Sequence, residues 1–147
     1  MRLTILSVGH RMPEWVTTAT RDYIKRMPND CTIEIKEIKP DLTTSKEAIK
    51  ISAAIPKGAH VIALDEHGKD QTTQNLATQL TSWRQEGTDV AFLIGGADGL
   101  DSNLKRSAQE IWRLSSFTLP HAMARIVLTE QLYRAWTILQ GHPYHRE

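Results

Sequence analysis

Short apolar runs alternate with amphipathic stretches along the whole chain, and this alternation limits the possible folds more than any other feature. Two runs, VIALD (61–65) and VAFLI (Val90–Ile94), are continuously apolar but too short to be core helices. Each predicts a strand covered on both faces, as in a parallel sheet with helices above and below. RLTILSV (Arg2–Val8) predicts a third strand, stopped by Gly9, and WRLSSFTL (112–119) another. CTIEIKEI (31–38) alternates apolar with charged residues, the period of a strand with one wet face, which suits a sheet edge. Between these runs lie helical patterns. Trp15, Val16, Ala19, Tyr23 and Ile24 recur at helical spacing between Pro13 and Pro28. Residues 43–55 open on Thr and Ser caps. Thr73–Glu86 places Leu76, Leu80 and Trp83 on one stripe before Gly87, Asp101 can cap a short helix over 101–110, and the longest helix covers 122–139. The pattern predicts one α/β domain over residues 1–147, a parallel sheet of five strands with five helices. Residues 40–45 form the loosest stretch and are expected to be a mobile loop.

Eighteen Lys and Arg stand against seventeen Asp and Glu, a net charge of +1. That excludes a binder relying on a large positive field, though not a nucleic acid recognised locally. Cys31 is the only cysteine, so an intrachain disulfide and a multi-thiolate metal site are both excluded. The opening MRLTILSVGH lacks the length and cleavage pattern of a secretory signal, and no apolar run is long enough to span a membrane. The expected location is the cytoplasm, without membrane contact.

Ligands of open parallel sheets bind at the carboxyl ends of the strands. Three such ends are unusual here: Asp65-Glu66-His67-Gly68-Lys69, Gly95-Gly96-Ala97-Asp98-Gly99, and the approach to Pro120-His121. The glycine cluster is no Walker loop, because Leu100-Asp101 stand where Lys and Ser or Thr would hold phosphate and magnesium. It also comes after the fourth strand, not the first, as a dinucleotide fingerprint would. It is either main chain that a ligand can approach closely or simply a tight turn before the Asp101 cap. The last helix is apolar around most of its circumference, so it needs cover on more than one face, from its own core or from a second copy of the chain. Within it, Glu130 and Arg134 are spaced to pair with each other. The tail GHPYHRE concentrates two imidazoles, a phenol and a guanidinium, a set able to stack a base, hold phosphate or move a proton. His121, His142 and His145 have no tight metal-ligand spacing, and no metal is expected.

LIGGADGL (93–100), RLSSFTLPHAMARIVLTEQLYRAW (113–136) and the ending HPYHRE (142–147), with MPEW (12–15) and ALDEHGK (63–69), together resemble one family. It is the ribosomal large-subunit (23S rRNA) pseudouridine N3-methyltransferases, in the SPOUT superfamily of S-adenosylmethionine-dependent RNA methyltransferases. The likeness runs the length of the chain. Members commonly read LIGGPEG where this chain has Ala97 and Asp98, and the stretch between the second and third strands is several residues short. The resemblance implies a C-terminal deep trefoil knot, a homodimer, and 23S rRNA within the ribosome as substrate. It implies S-adenosylmethionine held by Leu64, Gly95, Gly96, Leu114, Ser115, Ser116, Phe117, Thr118 and Leu119, largely through main-chain groups. No metal is called for, since the sulfonium already makes the methyl group electrophilic.

The accepting imide nitrogen must lose a proton, and the charge left on the flanking carbonyls must be stabilised. On the resemblance, Arg134 and Arg146 are assigned to phosphate or carbonyl contact, His145 to orientation or proton transfer, Tyr144 to positioning the tail or stacking the base, and Glu130 to holding Arg134. Near-neutral charge further suggests recognition of an assembled ribosome and poor activity on naked RNA fragments. Two other readings are a SPOUT enzyme acting elsewhere, such as on a tRNA ribose, and a non-catalytic module binding an adenosine ligand. A receiver-like domain lacks support, because Gly9-His10-Arg11 follow the first strand where an acidic cluster would be needed.

Overall fold

The computed structural model describes residues 1–146. Its strands are β1 (Arg2–Val8), β2 (Thr32–Ile38), β3 (His60–Asp70), β4 (Val90–Ile94) and β5 (Glu110–Arg113). Its helices are α1 (Glu14–Arg26), α2 (Thr44–Ala54), α3 (Thr73–Glu86), α4 (Ser102–Ser107) and α5 (His121–Gln140), with a 3-10 turn over Pro143–Arg146. All strand pairs are parallel, in the order β2-β1-β4-β3-β5. The alternating strand β2 is an edge, as its wet face predicts. β4 lies at the centre with all five residues buried.

Two cores follow from the two faces of the sheet. Leu3, Ile5, Ile62 and Phe92 pack with Leu80 and Trp83 of α3 and Leu128 and Leu132 of α5. On the opposite face Leu6, Ala63 and Leu93 pack with Ile51 of α2 and Leu104 of α4. Alternate residues of β1 and β4 thus serve opposite cores, the arrangement period 2 imposes on a doubly covered strand. The short edge strand β5 is pinned by its own side chains. Trp112 stacks on Trp83 at 6.2 Å and donates its indole N–H to Glu110 at 3.0 Å. The other oxygen of Glu110 accepts from His60 Nε2 at 2.6 Å.

The predicted elements are present, with two differences that shape the site. The fifth strand is Glu110–Arg113, not 112–119. Its one neighbour, β3, reaches only Asp70, which registers against Arg113, so the chain beyond has no strand to pair with. There Ser115 Oγ accepts the Phe117 N–H at 2.9 Å, a local turn that competes with extension. The third strand runs past Asp65 to Asp70 because both Leu64 and Lys69 register against Trp112. Residues 65–68 therefore loop out of the ladder. Gly68 makes this possible, since a Cβ there would lie 2.5 Å from the Trp112 carbonyl carbon. The short helix also ends early, at Ser107, because Gln109 donates its N–H to Val61 and begins the next strand. In the stretch expected to be loose, Thr43 caps α2, Glu47 accepts the Asp41 N–H, and Asp41 pairs with Lys50.

α5 packs on α1, α3, β1 and β4, so much of its cover comes from its own chain. It still leaves Ile126, Val127, Trp136, Ile138 and Leu139 half-buried and Met123 exposed. Arg125, only 3% exposed, ties the start of this helix to the sheet. It donates to Ser7 Oγ at 3.1 Å and to Glu37 at 3.1 Å. Removing the carboxylate strands a buried guanidinium, so Glu37→Ala is expected to lower stability by about 1–3 kcal/mol, read by urea unfolding. Cys31 is fully buried, and burial pushes its thiol up to about 11. Thiol reagents should modify it in urea but not in the native protein, as labelling followed by mass spectrometry would show.

Candidate functional site

Leu64 and the excursion that follows it in β3, the carboxyl end of β4, the segment 114–119 and the first turn of α5 surround a cleft of about 630 Å³. That volume falls in the range that takes a nucleoside-sized ligand. Its floor is the glycine turn after β4. A Cβ on Gly95 would lie 2.4 Å from the Gly99 carbonyl carbon, and Gly99 adopts φ +75°, so both positions need glycine. Asp101 then caps α4 by accepting the N–H groups of Asn103 and Leu104. The turn is thus both a helix entry and the base of a ligand cleft.

Of the residues assigned to the methyl donor, Leu64, Gly95, Gly96, Leu114, Ser115, Phe117, Thr118 and Leu119 all line this cleft. Ser116 does not line it and is exposed. The segment 114–119 enters neither the sheet nor α5, so its main-chain groups are not consumed by secondary structure. Such groups, beside Leu114 and Leu119, suit the polar edge and flat faces of an adenine. The donor set therefore fits S-adenosylmethionine, with the exposed Phe117 at the mouth.

Sequence reasoning singled out the charged stretch 65–69 as a strand end but not Lys105, which completes the charged wall. The excursion at 65–68 turns Asp65 into the cleft, where it accepts the His67 N–H at 2.9 Å and pairs with Lys105 Nζ at 3.1 Å. Burial alone would raise the Asp65 carboxyl, but the His67 and Lys105 hydrogen bonds outweigh it and hold the group below its usual range. The acidic end of VIALD was a visible signal. Its partner forty residues on was not. Lys105→Met leaves burial to dominate, so the Asp65 pKa should rise towards or above its ordinary value, read by carboxyl-carbon NMR titration. A depressed folded pKa adds stability that is present above the unfolded value and lost as pH falls through the folded one. The variant should accordingly lose acid stability at a higher pH than the parent.

The other assigned residues are Glu130 and Arg134, in the middle of α5, and Tyr144, His145 and Arg146, in the 3-10 turn that folds back onto it. Within one chain they do not line the cleft. Glu130 accepts Arg134 Nε at 3.0 Å, the Gln131 amide at 2.9 Å and the Tyr144 hydroxyl at 3.0 Å. So occupied, it holds its neighbours and is not a free base. Burial first, then hydrogen bonds with Tyr23 and Glu130, push the Tyr144 phenol far above its usual range, so it stays protonated. Arg134 lies 5.1 Å over the Tyr144 ring. His145 Nδ1 is shielded from solvent without a hydrogen-bond partner among the described residues, and Arg146 is exposed. His121 lines the cleft while His142 and His145 follow the far end of α5, so the three do not converge on one point. Among the described residues no three His, Cys, Asp or Glu groups are placed to hold a metal ion.

A parallel α/β sheet with a glycine turn, an unpaired segment beside it and a long closing helix places the chain in a class. Residues 1–145 match the family described as Predicted SPOUT methyltransferase, and the chain belongs to that family of methyltransferases. It is 80% identical to the ribosomal RNA large subunit methyltransferase H of Polynucleobacter asymbioticus, over 147 residues and 100% of both chains. It is 76% identical to the protein of the same name from Polynucleobacter necessarius, again over 100% of both. The counterpart in Paraburkholderia xenovorans is 57% identical over 155 aligned positions, 99% of each chain. Among solved structures, a methylase family protein from Neisseria gonorrhoeae matches with a TM-score of 0.54, covering 90% of this chain and 80% of that one. At 17% identity that likeness is one of fold. Among the described residues no helix is long and apolar enough to cross a membrane.

Proposed function

We propose that this chain methylates N3 of a pseudouridine in 23S rRNA, using S-adenosylmethionine, on the assembled ribosome in the cytoplasm. The observation that carries this reading is the end-to-end likeness to proteins named ribosomal RNA large subunit methyltransferase H. Leu64, the glycine turn and the segment 114–119 would hold S-adenosylmethionine, which when bound would supply an electrophilic methyl group. The acceptor N3–H must give up its proton and leave charge on the neighbouring carbonyls. His145, beside Arg146 in the tail, is assigned to take that proton or to orient the base. Arg134 and Arg146 face phosphate or carbonyl oxygens, and Tyr144 stacks or positions. The segment 114–119, crossing from edge strand β5 back to a helix over central β1 and β4, is part of the deep trefoil knot that we infer here.

We infer a homodimer from the apolar residues that α5 leaves half-buried or exposed. The cleft lies at the first turn of α5, and the tail folds back from its last turn onto Glu130 and Tyr133 without lining that cleft. In this reading the tail serves a partner's cleft, because within one chain none of its residues lines the cleft.

Labelled S-adenosylmethionine incubated with ribosomes lacking the modification, with free large subunits and with protein-free rRNA tests the substrate. Label is expected at one large-subunit pseudouridine, strongest on intact ribosomes. No label on any of the three, with donor binding intact, would sink the assignment. His145→Ala should lower kcat on the order of 100-fold, the usual scale for a lost acid–base group, and unchanged turnover would remove it from that role. In a mixed dimer, a chain with a cleft blocked at Gly95 and an intact tail is paired with an H145A chain. Activity is expected to return in the mixture, whereas a tail working on its own chain's cleft would give none.

A further inference from the structure

Three tyrosines from three separate segments meet against α5, and only one of them belongs to the tail. The Tyr144 ring stands edge-on to Tyr133 of α5 at 4.7 Å and to Tyr23 of α1 at 6.4 Å, and Tyr23 lies 5.8 Å from Tyr133. Cations close the stack at both ends. The Arg26 guanidinium lies 5.7 Å from both the Tyr23 and the Tyr133 rings, and Arg134 covers Tyr144. Edge-to-face rings and cation–π pairs have preferred geometries, so the set fixes the Tyr144 ring in direction as well as in place.

The hydroxyl groups give the cluster a polarity. The Tyr144 oxygen lies 3.0 Å from Glu130 and 3.3 Å from the Tyr23 oxygen. Tyr144 has one proton to give, and the carboxylate is the stronger acceptor. Tyr23 is then the donor to Tyr144, and the chain of bonds runs Tyr23 to Tyr144 to Glu130, with Arg134 on the same carboxylate. His145 and Arg146 follow Tyr144 directly in a single 3-10 turn, so wherever the phenol is held, they are held too.

We propose that Tyr23 is a positioning residue for methyl transfer, acting through the Tyr144 hydroxyl to set the direction in which His145 and Arg146 leave the helix end. This rests on the tail's role given above. Tyr23 belongs to the first helix and does not line the cleft of its own chain, and its hydroxyl meets the tail through Tyr144.

Tyr23→Phe keeps the ring and removes only the donor. It should lower kcat on intact ribosomes about fivefold, the scale of one lost neutral hydrogen bond, with donor Kd unchanged. Amide exchange across 142–146 should rise while that of α1 and α5 does not. In a Tyr144→Phe background the same change should add nothing, because the two hydroxyls act as one unit. Undiminished kcat in Y23F, or losses that multiply in the double variant, would overturn the proposal. If the parent protein labels no ribosome, or Tyr144→Ala keeps full turnover, the reading beneath fails and the proposal falls with it. These two failures are separated by measurements on the parent and on Y144A alone.

Discussion

The close approach of Gly68 to the main chain of Trp112 is the contact on which the cleft depends. A ladder that pairs Trp112 once would continue β3 and β5 side by side and leave nothing to bind. Pairing it twice, with Leu64 and again with Lys69, expels four residues towards the strand ends and turns Asp65 inward. The same irregularity stops β5 at Arg113, and the chain released there becomes the opposite wall. One missing Cβ therefore shapes both sides of the site, and the Trp83–Trp112 stack with the His60–Glu110–Trp112 bonds holds the irregular edge in register.

The remaining charged groups divide by task. Arg125, inside the fold, joins α5 to the ends of β1 and β2, so the helix that lines the cleft cannot shift against the sheet without unpairing a buried guanidinium. Glu130, in the middle of the helix, gathers Arg134, Gln131 and Tyr144 and so orders a tail that would otherwise fray. Side chains that sequence reasoning treats alike, two members of one polar set on one helix, become a strut and a clamp according to burial.

Much of this was legible in the residues. Continuous apolar runs gave central strands, alternation gave the edge at β2, and Gly87 and Asp101 marked helix ends because left-handed φ and capping oxygens are local requirements. The glycine turn and most of 114–119 were identified as donor-facing through the family resemblance, and they line the cleft. Extent was harder. WRLSSFTL reads as a strand by composition, yet whether it pairs depends on where β3 ends, which is tertiary information. Lys105 and Tyr23 escaped for the same reason, since each matters through a partner far away in sequence, Asp65 and Tyr144 respectively.

α5 joins the cleft end of the molecule to the tail end without a break, and this makes its length a gauge. Adding or removing one residue would turn the tail by about 100° around the helix axis and move it ~1.5 Å along it. The phenol would no longer face the ring of Tyr23, and the imidazole would leave in another direction. Between β2 and β3, by comparison, α2 is fixed by its buried Ile51, and only the loops either side of it can change length. The spacing between His121 and Gly141 is thus held by geometry at both ends, and natural variation in chain length is expected to fall elsewhere.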